Sequence, residues 1–123
     1  MVLLLVFVGG CAGAALRYAT DRLVQARHTK AIPLGTFCVN MCGSTVLGVF
    51  AGASAQTSPY LTALIATGFC GALTTFSAFS YETVRLLGDR LSRTAALHVL
   101  LHVVVGLSLM TLGYQAAVAL AGH

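Results

Sequence analysis

The sequence predicts an all-α membrane protein of four transmembrane helices, and three observations predict it. First, 58% of the residues are hydrophobic and only 8% are charged, with a mean hydropathy of +0.90. A soluble domain carries about 25% charged residues. Second, at about 20 residues per span with short loops, 123 residues suffice for four crossings. Third, polar clusters at Asp21–Ala31, Gln56–Pro59 and Gly88–Arg93 divide the chain into four apolar runs. The chain 1–123 then forms a single domain with helices at about 1–20, 33–55, 60–87 and 94–121. A bundle this small has little interior in which to enclose a path, so an oligomer is expected.

The first run, Met1–Thr20, has a faint lipoprotein-like box at Val8–Cys11. No Lys or Arg precedes its apolar stretch, so it lacks the basic start of a signal peptide and is read as a retained helix. Gly9 and Gly13 form a GxxxG pair that permits close helix approach. Arg17 and Tyr18 end the run, and a hydrophilic loop is expected from Asp21. Pro33 suits the first turn of the second helix. There Asn40, Ser44, Gly48 and Gly52 recur every fourth residue as one small, polar ridge, a contact surface in lipid. The third run, Tyr60–Leu87, is too long and interrupted for one simple helix, and two helical pieces are expected to meet near Gly71–Thr75. In the fourth run, His98 and His102 lie one turn apart, and Gly106, Gly113 and Ala117 allow close packing.

With four spans, all seven basic residues (Arg17, Arg22, Arg27, Lys30, Arg85, Arg90 and Arg93) fall on or next to one side. The positive-inside rule puts those loops in the cytoplasm and both termini outside. The net charge of +4 fits orientation and anionic headgroups. No basic stripe with interleaved aromatics suggests nucleic-acid binding. The chain is not expected to be an enzyme. Its three acidic residues, Asp21, Glu82 and Asp89, make no paired-carboxylate site, and no Walker loop is present. His98 and His102 have a metal-ligand spacing but no third ligand nearby in sequence, so polar contacts or a path lining are the better reading. Cys11, Cys38, Cys42 and Cys70 read as small apolar packing residues.

The stretch Gly68–Glu82, GFCGALTTFSAFSYE, carries groups that lipid-embedded helices avoid. Gly68 and Gly71 loosen the helix, and Thr74, Thr75, Ser77 and Ser80 add hydroxyls. Lipid cannot hydrogen-bond a loosened backbone, so such a segment is buried in protein or lines a wet cavity. Phe76 and Phe79 sit one turn apart beside those hydroxyls. An aromatic ring has a positive edge, so ring edges, hydroxyls and the Asn40 amide make a site for a small, strongly hydrated anion that must also be released. Carbonyls freed near Gly71 and Thr74 can hold a hard cation such as Na⁺ or can bond a neighbouring hydroxyl. Arg17 either snorkels to the interface or draws anions toward a vestibule. Glu82 either caps a helix or pairs with a basic group.

Three blocks carry a resemblance: GGCAGAALRY (Gly9–Tyr18), PLGTFCVNMCGSTVLG (Pro33–Gly48) and GFCGALTTFSAFSYE (Gly68–Glu82). The chain resembles the CrcB/Fluc fluoride channels, small four-helix proteins of bacterial cell membranes. The third block is highly specific, whereas the fourth helix matches only in general character. The resemblance implies a passive fluoride-selective channel, built as an antiparallel dimer with two pores, that lets toxic cytoplasmic fluoride leave. Residue by residue, it implies pore roles for Asn40, Phe76 and Phe79, with Thr75, Ser77 and Ser80 as the hydroxyl-bearing stretch beside the pore. It implies that Arg17 is the vestibule arginine. The carbonyls of Gly71 and Thr74, two per subunit, would hold a structural Na⁺ that is not transported.

Two departures carry expectations of their own. The family often has Tyr and Ser on the pore face of its last helix, where this chain offers His98 and His102; histidine titrates near neutrality, which implies pH-sensitive conduction. The one-sided charge is unusual for a subunit that must insert both ways. It points to an antiparallel heterodimer with a homologue of opposite bias, with a dual-topology homodimer as the alternative. A small proton-coupled multidrug-type exporter shares the helix count and the antiparallel pairing. Such exporters rest on a carboxylate in the first helix and on aromatic contacts that typically include Trp. This chain has no Trp, and its first predicted helix has no carboxylate.

Overall fold

The computed structural model describes residues 1–27 and 33–122. Among them, every regular element is helical. Helix α1 spans Val2–Arg27 and α2 spans Leu34–Gly52. The third span begins with α3 (Pro59–Leu61), widens into a π-helical segment (Thr62–Cys70) and narrows to α4 (Gly71–Leu73). It resumes as α5 (Phe76–Gly88), and α6 (Ser92–Ala121) completes the chain. Four helical stretches, Val2–Arg27, Leu34–Gly52, Pro59–Gly88 and Ser92–Ala121, are long and apolar enough to cross a membrane. This is a multi-pass membrane architecture.

Helix α1 is longer than expected. The residues from Asp21 to Arg27, read above as loop, continue the helix. No Gly or Pro interrupts Thr20–Arg27, and Gln25 Nε2 donates to Asp21 Oδ2 at 3.0 Å across one turn. The first helix therefore does carry a carboxylate, close to its end. The remainder of the expected loop, including Lys30, lies outside the described residues.

Local chemistry sets the other ends. Ser58 caps α3, its Oγ accepting the Tyr60 N–H at 3.3 Å, and Pro59 opens the helix without wasting a donor. After α5, Arg90 takes a left-handed conformation (φ 60°), and Leu91 N–H closes on the Leu86 carbonyl at 2.9 Å.

The helices pair through small residues, as they must where lipid offers no hydrophobic drive between spans. The most extensive pairs are α2 with α6 and α1 with the π-helical segment. A Cβ at Gly48 would meet the Met110 carbonyl, and one at Gly52 would meet the Tyr114 carbonyl. From the other side, a Cβ at Gly113 would meet the Thr45 carbonyl at 2.6 Å. On α1, Gly9 and Gly13 face the Leu64 and Phe69 carbonyls in the same way. Each contact lets backbone touch backbone. Cys70, Leu73, Leu86 and Val39 fill the interior, while Leu3, Phe7, Leu100 and Leu107 point outward, as suits a lipid-facing surface.

Candidate functional site

The site begins where the third span leaves helical geometry. Leu73 ends α4, and Thr74 (φ −75°, ψ 152°) and Thr75 (φ −148°, ψ 122°) are extended before Phe76 starts α5. Side chains take up the displaced backbone groups. Asn40 of α2 grips Thr75 twice: its Oδ1 accepts the Thr75 N–H at 2.9 Å, and its Nδ2 donates to the Thr75 carbonyl at 3.3 Å. Thr75 Oγ1 in turn caps α5 by accepting the Ala78 N–H at 3.2 Å, and it lies 3.1 Å from Ser77 Oγ. These bonds divert two amides from their helical acceptors. The Thr75 N–H would otherwise serve the Gly71 carbonyl and the Ala78 N–H the Thr74 carbonyl, each four residues back. The Gly71 and Thr74 carbonyls thus lose these two donors, at the positions where the sequence reading allows either a hard cation or a neighbouring hydroxyl. Gly71 is exposed, and a Cβ there would meet nothing. Exposed backbone oxygens are the donors that such cations take.

Two clefts meet at Thr75. One, of about 360 Å³, is lined by Asn40, Ser44, Thr75, Phe76, Phe79 and His102 among others. The Phe76 and Phe79 rings lie 5.7 Å apart and tilted by 43°. Phe76 is 79% exposed, whereas Phe79 is half-buried. The second cleft, of about 510 Å³, is lined by Arg17, Tyr18, Asp21, Thr36, Thr75 and Ser77 among others. The structure therefore gathers Asn40, Thr75, Phe76 and Phe79 in one cleft and Arg17 with Ser77 in the other, with Thr75 common to both. Ser80 is half-buried and lines neither. Thr74 Oγ1 donates to the Cys70 carbonyl at 2.9 Å, so this hydroxyl is turned back onto its own helix.

Behind Phe79 lies a polar cluster that residue spacing alone did not assemble. Thr36 Oγ1 donates to Glu82 Oε1 at 2.6 Å. The other carboxylate oxygen, Oε2, lies 3.8 Å from His98 Nε2. His98 stacks on Phe79 (centroids 5.3 Å, 24°), and His102 tilts against the same ring (4.8 Å, 52°). Phe37 meets His102 edge-on at 5.1 Å. Glu82 thus takes a hydroxyl and an imidazole as neighbours and does not cap a helix. Thr36 was missed by the sequence reading. The available signal was its place one turn before Asn40 on α2. His102 also lines the phenylalanine cleft, whereas His98 lies behind Phe79.

The chain thus combines four spans with a polar extended stretch clamped between its helices and phenylalanines at a cleft. Comparison makes the class specific. The family model described as "CrcB-like protein, Camphor Resistance (CrcB)" matches residues 4–114. The chain belongs to the CrcB family. It is 47% identical over 119 residues to "Fluoride-specific ion channel FluC 1" of Streptomyces avermitilis, covering 95% of this chain and 96% of that one. It is 44% identical to the protein of the same name from Frankia casuarinae (97% and 98% covered). It is 41% identical to "Fluoride-specific ion channel FluC" of Methanocaldococcus jannaschii (96% and 95% covered). This is a family of channels and not of enzymes.

Proposed function

We propose that this chain is a subunit of a passive, fluoride-selective channel that lets cytoplasmic fluoride leave the cell. The observation that carries the reading is the cleft where Phe76 and Phe79 stand beside Thr75 and the Asn40 amide. It occurs in a chain whose near-full-length relatives are named fluoride-specific channels. Ring edges and neutral donors can replace part of an anion's hydration without trapping it behind a fixed charge. Asn40 spends one amide proton and its oxygen on Thr75, which leaves the second Nδ2 proton to face an ion. Arg17 stands at the neighbouring cleft, where a cation raises the local anion concentration. Ser77 carries the hydroxyl-bearing stretch into that second cleft, and Ser80 lies one turn further along the same helix.

A single subunit leaves the phenylalanine cleft open and Phe76 uncovered. Both facts support an assembly in which a second subunit closes the path, and antiparallel pairing is the arrangement proposed. Two carbonyls, those of Gly71 and Thr74, are too few to enclose a cation, whereas the corresponding pair of a second subunit would make four. When bound, Na⁺ would supply a positive charge that holds the two broken spans together. Asn40 and Thr75 keep those carbonyls turned away from helical partners. The basic residues Arg22, Arg27, Arg85, Arg90 and Arg93, together with Lys30, favour one insertion direction, with both termini outside. A homologue of opposite bias is therefore the proposed partner.

The test is fluoride efflux from liposomes without a proton gradient, with chloride as the control ion. Wild type, co-expressed with its oppositely biased homologue, should pass fluoride and not chloride. Phe76→Ile should lower fluoride flux at least about tenfold, the loss of a contact worth at least 1.4 kcal/mol. Flux that requires a proton gradient, or that passes chloride equally, would defeat the reading. Full fluoride flux from this chain alone would remove the heterodimer.

A further inference from the structure

The cluster behind Phe79 is short of protons. Thr36 gives its hydroxyl proton to Glu82 Oε1. His102 Nδ1 lies 2.9 Å from the His98 carbonyl, and a carbonyl only accepts, so that proton is on Nδ1. Neutral His102 therefore keeps a bare lone pair at Nε2. Three atoms here are buried without a hydrogen-bond partner among the described residues: Glu82 Oε2, His98 Nε2 and His102 Nε2. His98 itself is only 8% exposed. Two of the three are acceptors when Glu82 is ionised and His102 neutral. The third faces Glu82 Oε2 at 3.8 Å, a gap that a hydrogen bond does not span. Buried acceptors without donors are costly, and one added proton on this group supplies the missing donor.

The charged and titratable groups around the cluster are few. Asp21 reaches it electrostatically from α1 and Arg85 from α5, and His98 and His102 face it from α6. The cysteines of α2, Cys38 and Cys42, are exposed and turned away. Among the described residues, Thr36, Asp21, Arg85 and His98 are the groups that act on the Glu82 carboxylate. Phe79 joins the cluster to the cleft, because both imidazoles touch the ring that forms the cleft wall.

We propose that Glu82, His98 and His102 form a proton-binding site that sets the charge behind the phenylalanine cleft and so controls anion occupancy there. With the site deprotonated, a carboxylate stands beside the histidine that stacks on the cleft-wall ring and repels an anion in the path. With one proton bound, Glu82 and His98 form a hydrogen-bonded, net neutral pair, and the repulsion is gone. Proton and fluoride then bind with positive coupling, and the coupling is reciprocal. The proposal rests on the fluoride reading above and adds the ligand that regulates it.

Two measurements on the assembled protein keep the two readings apart. The first is fluoride efflux from proteoliposomes between roughly pH 8 and pH 5.5, the range that brackets imidazole titration. Protein-free liposomes at each pH subtract leakage of hydrogen fluoride. The second is ¹⁵N-histidine NMR in nanodiscs, titrated with fluoride or with chloride. Wild-type efflux should rise roughly tenfold on acidification, the order expected for removing one partly screened charge. Glu82→Gln should abolish that dependence, and His98→Gln should weaken it. The NMR should show His102 with Nδ1 protonated at high pH, and fluoride but not chloride should move a histidine titration midpoint to higher pH. If efflux is independent of pH, or if Glu82→Gln keeps the wild-type profile, the proposal is wrong. The same holds if fluoride leaves the histidine titration unmoved while efflux persists. Absent efflux with a fluoride-coupled titration would keep the proton site and overturn the channel reading. Absent efflux with an uncoupled titration would overturn both.

Discussion

Asn40 holds Thr75 by both polar groups of that residue's backbone, taking the N–H at 2.9 Å and reaching the carbonyl at 3.3 Å. One amide side chain thus replaces the two bonds that the helix forgoes at Thr75. Leaving the two groups unpaired costs roughly 1–3 kcal/mol for each, about 2–6 kcal/mol together as an upper bound. Asn40→Ala should lower stability by up to that amount and abolish fluoride efflux. Asn40→Asp keeps the acceptor but sets a carboxylate oxygen against the Thr75 carbonyl and a negative charge in the cleft, so it too should abolish efflux. Thermal unfolding in detergent, paired with efflux, checks both.

The glycines of α2 make a second prediction. A Cβ at Gly48 would run into the Met110 carbonyl, which is backbone and cannot swing aside, whereas a Cβ at Gly88 meets nothing. Gly48→Ala should therefore push α2 from α6 and cost about 1–3 kcal/mol. Gly88→Ala should change stability by less than about 0.5 kcal/mol. Equal melting temperatures for the two variants would show that this backbone contact is not tight.

The two phenylalanines should separate in their effects. Phe79 is packed against both histidines, and Phe76 is 79% exposed in the subunit. Phe79→Ala should cost roughly 1–3 kcal/mol, below the 3–5 of a fully buried ring. Phe76→Ala should leave subunit stability within about 0.5 kcal/mol. Both should lower fluoride flux, so stability and flux measured together distinguish packing from lining.

Sodium supplies a fourth. A cation held only by the native assembly stabilises it by mass action, so each tenfold rise in sodium above its dissociation constant adds about 1.4 kcal/mol. The melting temperature of the assembly should climb with sodium at constant ionic strength, with potassium as the replacement. A melting temperature indifferent to sodium would remove the proposed site at Gly71 and Thr74.

Composition and polar punctuation were enough to read the four spans. GxxxG spacing was enough to read the close approach of α1, because Gly9 and Gly13 signal their contacts locally. The π-helical segment Thr62–Cys70 was not legible. Nothing in TALIATGFC marks a wider turn, and its carbonyls at Leu64 and Phe69 meet glycines more than fifty residues earlier in the chain. The helical stretch Asp21–Arg27 was misread because its polarity suggested a loop, whereas polarity says only that it leaves lipid. Asn40 was visible as one polar step on a ridge, but its use on Thr75 is a tertiary fact. Likewise His98 and His102 were visible as a pair, and the carboxylate that faces them comes from another helix.

The clamp also has an order in time. Asn40 lies thirty-five residues ahead of Thr75, so ribosomal synthesis delivers the gripping side chain before its client emerges. If spans enter the bilayer in chain order, the second precedes the third and offers the peptide groups of Thr75 a partner beside them. A circular permutation that placed the third span first would strip that advantage and expose those groups to lipid during biogenesis.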